Sequence, residues 1–141
     1  MRAVQIVAMA ALLASTPALS QAEAFSPADL SEGEAKIQFG ARTLATTVRD
    51  PSSASFRNVF IQKRVNKYGT HITVCGEMNA RNGYGGLAGF QPFIITGDKV
   101  YVGTALGSIG VGEMCRNNSP AVDTRDYTPE MKGAYLGALS G

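Results

Sequence analysis

At Asp50-Pro51 the spacing of apolar residues changes, and no single kind of secondary structure can run through that point. Before it, Ile37, Ala41, Leu44 and Val48 recur at helical intervals, with Lys36, Arg42 and Arg49 on other faces. That is the pattern of an amphipathic helix. The helix is expected to start near Ser26 or Ser31, where a hydroxyl can cap free backbone N–H groups. It should stop before Pro51, which disfavours the helical conformation at Asp50. After the proline, the segments FRNVFIQKR, HITVCGEMNA, FQPFIITG and KVYVGT are rich in β-branched and aromatic residues and separated by turn signals such as Tyr68-Gly69 and Gly97-Asp98. They read as strands of an antiparallel sheet. In the second, Ile72, Val74 and Met78 point one way while His71, Thr73, Cys75 and Glu77 point the other. The first set is expected to lie on the helix.

The fold class that follows is α+β: an N-terminal amphipathic helix packed on a small antiparallel sheet of about four strands, with one disulfide. A short C-terminal helix begins at Thr128-Pro129-Glu130, with Thr128 as cap and Pro129 in the first turn, and carries Met131, Tyr135 and Leu139. Between them GTALGSIGVGEMC is either a flexible loop or a small-residue helix or strand laid closely on the sheet. The expected core is Ile37, Leu44, Val48, Val59, Ile61, Ile72, Val74, Ile94 and Val100.

Arg2 is followed by AVQIVAMAALLASTPALS and then by small residues in an Ala22-Glu23-Ala24 pattern. This reads as a secretory signal peptide, residues 1–24, with cleavage after Ser20 or after Ala24, the latter preferred because small residues then occupy both recognised positions. The apolar run ends at Pro17 and falls short of the roughly 20 residues that span a bilayer, so no membrane anchor is expected after cleavage. Residues 25–141 then form a single domain. Removing the first 24 of 141 residues leaves 117, and because one arginine and one glutamate are lost the formal charge stays at +2. Such a balance does not call for nucleic acid, and the Lys63, Arg64, Lys67 cluster lacks interleaved aromatic residues. In an oxidising compartment the two cysteines, Cys75 and Cys115, are expected to pair. Closing a loop of about 40 residues contributes roughly 4 kcal/mol in the chain-entropy model.

Catalytic chemistry finds little support. Gly83, Gly85 and Ala88 fit a dinucleotide-binding spacing, but FQPFII follows where a phosphate-holding helix would have to start. His71 and Cys75 lie about 13 Å apart if they share a strand, beyond proton-transfer reach. With one histidine in the chain, a zinc site would need free cysteines, and no cofactor or metal is expected. A carboxylate-based hydrolase using Glu77 with Asp98 or Asp123 is the catalytic alternative. The segment EMNARNGYGGLAGFQPF is better suited to binding. Glu77, Asn79, Arg81, Asn82 and Tyr84 offer hydrogen-bonding and stacking groups, and the glycines permit backbone conformations closed to other residues. Its structural alternative is a wide turn in which Tyr84 and Phe90 fold back onto the sheet.

DPSSASFRNV at Asp50 to Val59 and VCGEMNARNGYGGLAGFQPFI at Val74 to Ile94 carry the patterns D-P-x-S-A-x-F and V-C-G-E-x-N-A-x-N-x-x-G-G-x-x-G-F. In these blocks the chain resembles a group of uncharacterised small exported bacterial proteins. The resemblance implies export and brings no catalytic residue or ligand with it. The function expected is non-catalytic binding of an envelope protein or cell-wall component, with inhibition of an envelope-directed hydrolase as an alternative. Protein recovered from a periplasmic or secreted fraction should begin at Phe25 by intact mass and show no titratable thiol before reduction. A chain that keeps residues 1–24 would overturn the export reading, and two reactive thiols would overturn the pairing.

Overall fold

The computed structural model describes residues 25–81, 84–87, 89–103, 110–115, 121–123 and 125–141; the expected leader lies outside them. Helix α1 runs Pro27–Thr47 and is capped by Ser26, whose hydroxyl accepts from the Asp29 N–H at 3.1 Å while Asp29 accepts from the Ser26 N–H at 2.8 Å. This reciprocal arrangement satisfies two backbone donors that the first turn leaves without helical partners. Lys63 also donates to the Asp29 carboxylate at 2.8 Å. That bond, followed by the one from the Ser26 N–H, holds the Asp29 carboxyl below its ordinary range. The helix ends with Val48 as C-cap, and Pro51–Ser53 forms a 3-10 turn that leads into the sheet.

Strands β1 (Ser55–Asn66), β2 (Gly69–Asn79), β3 (Gln91–Thr96), β4 (Lys99–Val102) and β5 (Ala121–Val122) form one antiparallel sheet in the order β4-β3-β2-β1-β5. Helix α2 (Val111–Met114) and helix α3 (Thr128–Ser140) complete the α+β fold. Among the described residues no helix is long and apolar enough to cross a membrane. The turns fall where the glycines stand: Lys67-Tyr68 before Gly69, and Gly97-Asp98.

One face of the sheet carries α1 and α3. Ile37, Ala41 and Leu44 of α1 meet Ile61, Ile72, Val74 and Ile95, and Met131 and Tyr135 of α3 join the same cluster. Gly33 and Gly40 lie on the buried face of the helix, where they leave room for side chains of the sheet. A Cβ on Gly33 would overlap Ile61, and one on Gly40 would overlap Ile95. Phe56 locks the end of this core, edge-on to Phe93 at 6.1 Å and to Tyr135 at 5.1 Å between ring centroids.

Several sequence expectations change in detail. Val48 and Val100 pack at the margin of the core and are only partly buried. Ile94 is buried on the opposite face, with Cys75 and Val111. A fifth strand pairs with β1 through only two residues, too short for a periodic signature. The segment before Cys115 includes the single turn of α2, while residues 104–109 lie outside the described residues. Thr128 is the first residue of α3 rather than its cap. Its hydroxyl accepts the Val59 N–H at 3.1 Å, and Tyr127 takes the cap position.

Truncating Leu44 to alanine should destabilise the fold by about 2–5 kcal/mol. Gly40→Val should also be strongly destabilising despite replacing a poor helix former, because the added side chain meets Ile95. Denaturant unfolding of both variants checks this, and a neutral Gly40→Val would mean that the helix stands farther from the sheet.

Candidate functional site on the outer face of the sheet

The face of the sheet turned away from α1 and α3 is built by a slip in β1. Arg57 pairs with Glu77 and Phe60 pairs with Cys75, so Asn58 and Val59 together oppose Gly76. This is a β-bulge. Asn58 adopts φ of 53°, a left-handed conformation that asparagine tolerates better than most residues. Val59 enters the core, and a Cβ on Gly76 would fall 3.0 Å from the Val59 methyl and 2.7 Å from the Phe93 ring. Glycine at position 76 therefore leaves room for Val59 and Phe93 to pack across β2.

On the two sides of the bulge, the outer residues of β1 line up with His71, Thr73, Cys75 and Glu77 of β2. At one end the Glu77 carboxylate accepts from Arg57 Nε at 3.0 Å, Arg57 Nη2 at 3.3 Å and Asn58 Nδ2 at 2.7 Å. The Arg57 guanidinium in turn lies 3.9 Å from the centroid of the Phe90 ring. Arg57 is about half exposed, which places both contacts in the range of roughly 0.5–1 kcal/mol each. A cavity of about 220 Å³ opens beside Glu77, between Asn58, Phe60, Pro92 and the disulfide. Cys75 and Cys115 are bonded, with Cα atoms 5.9 Å apart, and the bond holds α2 over the middle of this face.

Above the Glu77 end projects the glycine-rich hairpin. Arg81 and Leu87 form an isolated antiparallel bridge, and the Arg81 N–H donates to Ser53 Oγ at 2.8 Å, which itself donates to the Asp50 carbonyl at 2.7 Å. Gly85 and Gly89 have φ of 82° and 85° with open space where a Cβ would stand. They are needed for backbone conformation rather than for packing. Tyr84 at the tip is fully exposed, and Leu87 is 62% exposed. The two alternatives for this segment are thus divided between its aromatic residues: Phe90 folds back onto Arg57, and Tyr84 does not fold back.

Of the sequence-derived site residues, Glu77 lies on the outer face and Arg81 and Tyr84 in the hairpin above it. Asn79 is partly buried at the end of β2, and its Oδ1 has no hydrogen-bond partner among the described residues. Asn82 lies outside the described residues. Sequence reasoning missed Asn58 and the stacking role of Phe90. The uneven spacing of Phe56, Val59 and Ile61, with an asparagine in the gap, is the signal that could have found the bulge.

Of the carboxylates proposed for catalysis, Glu77 and Asp123 are each bonded to their own neighbours, and Asp98 lies at a distance from Glu77 along the sheet. Asp98 sits in the β3–β4 turn, six residues along the chain from Pro92, the cross-strand partner of Glu77, or about 20 Å at the rise of a strand. Asp123 accepts from the Tyr127 hydroxyl at 2.8 Å and from Arg125 Nη2 at 3.2 Å. Burial opposes its ionisation, but the bonds from Arg125 and Tyr127 prevail and keep its pKa low. Tyr127 is pushed the other way, to about 12, by burial first and then by Asp123. Comparison with protein-family models, curated proteins and solved structures gave no match for this chain.

Asn58→Val should be more destabilising than Asn58→Gly, by about 1–3 kcal/mol, because both lose the bond to Glu77 but only valine must be forced to positive φ. Equal unfolding free energies would remove the bulge geometry on which the face is built.

Proposed function

We propose that this is a non-catalytic, exported binding domain whose recognition element is the hairpin around Tyr84, and that its partner is an envelope protein or cell-wall component. The observation that carries the reading is a fully exposed tyrosine at the tip of a hairpin fastened at its base. A tyrosine offers a large contact area and a hydroxyl at low entropic loss, the usual character of an anchor residue. Leu87, bridged to Arg81 in the same hairpin, adds a second exposed apolar side chain. Holding the hairpin before binding reduces the ordering cost of association.

The leader-like residues 1–24 and the resemblance to small exported proteins support an extracytoplasmic setting, as does a disulfide between the two cysteines of the chain. A projecting hairpin on a disulfide-bonded sheet also suits an inhibitor of an envelope-directed hydrolase, which is the same binding reading with an enzyme as partner. Hydrolysis by the protein itself is less well supported, since the Glu77 carboxylate accepts from Arg57 and Asn58 and Asp98 lies far along the sheet.

Tyr84→Ala is expected to leave the melting temperature unchanged and to reduce retention of envelope proteins or cell-wall fragments on the immobilised protein. Loss of several kcal/mol of stability in this variant would show that Tyr84 packs on its own domain and would remove the recognition reading. Release of soluble fragments from cell-wall material by the wild type but not by Glu77→Gln would establish the hydrolase instead.

A further inference from the structure

The outer face holds a second cavity, about 210 Å³, on the far side of α2 from Glu77. It shares no lining residue with the first. Gln62 and Arg64 of β1, His71 and Thr73 of β2, and Thr96 of β3 surround it, and Met114 of α2 closes one side.

Gln62 is only 2% exposed, and its Nε2 donates to the Met114 carbonyl at 3.1 Å. A carbonyl can only accept, so this bond fixes which end of the amide is which. Oε1 is thereby left as an acceptor, buried and with no hydrogen-bond partner among the described residues. Thr73 stands directly opposite Gln62 in the β1–β2 register, and its buried hydroxyl likewise has no partner among them. Two neighbouring buried oxygens without partners destabilise a fold unless something in the cavity bonds to them.

We propose that this cavity binds a small hydroxycarboxylate, with the ligand hydroxyl donating to Gln62 Oε1 and the carboxylate at the Arg64–His71 end. Arg64 Nη2 donates at 3.4 Å to the same Met114 carbonyl that Gln62 uses. The two side chains therefore converge, and a molecule of two to four carbons is long enough to reach both. A guanidinium has five N–H donors in a planar fork, so its bond to Met114 is compatible with a carboxylate contact. The described lining residues include no Asp or Glu. An ammonium group would meet only neutral acceptors there, which favours a hydroxy acid over an amino acid. The volume equals that of several water molecules, enough for a ligand of this size.

The test is a titration of the protein with glycolate and with each lactate enantiomer, followed through backbone amide shifts in NMR, with acetate, alanine and inorganic phosphate as comparison ligands. At least one hydroxycarboxylate should shift the amides of Gln62, Thr73 and Thr96 and bind about tenfold tighter than acetate, the value of one added hydrogen bond. Alanine should bind more weakly still. Gln62→Met should reduce that hydroxycarboxylate to the acetate level while leaving the ligand-free melting temperature equal or higher, because the variant removes an unsatisfied oxygen at nearly constant volume. Arg64→Met should abolish binding of both. If Gln62→Met does not fold, Thr73→Val replaces it, with a reduction in hydroxycarboxylate binding expected. Equal affinity for lactate, glycolate and acetate, preference for phosphate or alanine, unchanged binding in the folded variant, or a cavity that takes up water and none of these ligands would each overturn the proposal.

Discussion

Asn58 inserts one residue into β1, and that insertion decides which side chains the strand sends to each face. A regular strand would alternate from Phe56 and direct Asn58 and Phe60 into the core. With the bulge, Phe56, Val59 and Ile61 all reach the helix side, while Arg57, Phe60, Gln62 and Arg64 share the other. Because neighbouring strands pair residue by residue, the slip sets the cross-strand partners as well: Arg57 with Glu77, Phe60 with Cys75, Gln62 with Thr73 and Arg64 with His71. The Glu77 carboxylate closes the arrangement by accepting from the side chains of both Arg57 and Asn58.

The two faces that result differ in chemistry. The inner one is apolar and tightly closed, since Gly33 and Gly40 let α1 settle onto Ile61 and Ile95 without intervening Cβ atoms. The outer one changes along its length from the Arg57–Glu77 pair, through an apolar middle of Phe60, Cys75, Ile94 and Tyr101, to Gln62, Thr73, Arg64 and His71. Helix α2 rests on the apolar middle and divides the remainder into two cavities. Four residues are too few to make a stable helix by themselves, so the Cys75–Cys115 bond and the burial of Val111 are what hold it there.

The blocks at Asp50 to Val59 and Val74 to Ile94 come together in space. Ser53 meets Arg81, Phe56 meets Phe93, and Arg57 and Asn58 meet Glu77. Asp50 and Pro51 belong to the same junction, through the bonds that Ser53 makes to the Asp50 carbonyl and that the Tyr135 hydroxyl makes to the Pro51 carbonyl. The hairpin bearing Tyr84 thus rises from a corner of the sheet tied together by several side-chain hydrogen bonds. That setting allows a glycine-rich segment to present an exposed aromatic side chain in a defined place.

Local patterns determined the elements. Helical spacing from Ile37 to Leu44, the serine and proline at the ends of α1, and alternation through β2 each express a preference satisfied within a few neighbouring residues, and the structure follows them. The turns at Lys67-Tyr68 and Gly97-Asp98 are local in the same sense, with glycine at positive φ in each. Pairing of Cys75 with Cys115 was legible because the chain has two cysteines and one oxidised arrangement. Tertiary structure alone decided the phase of β1, because the bulge draws its support from Glu77, Thr128 and the slot above Gly76, all far away in sequence. It also decided that Gln62 should be buried with an amide oxygen lacking a partner among the described residues, and that Phe90 should lie on Arg57 while Tyr84 stands exposed. These are contacts between strands whose register and facing are set only when the whole sheet has formed; the uneven spacing of Phe56, Val59 and Ile61 marks where β1 slips, but residue spacing along one strand carries no record of what each side chain then meets.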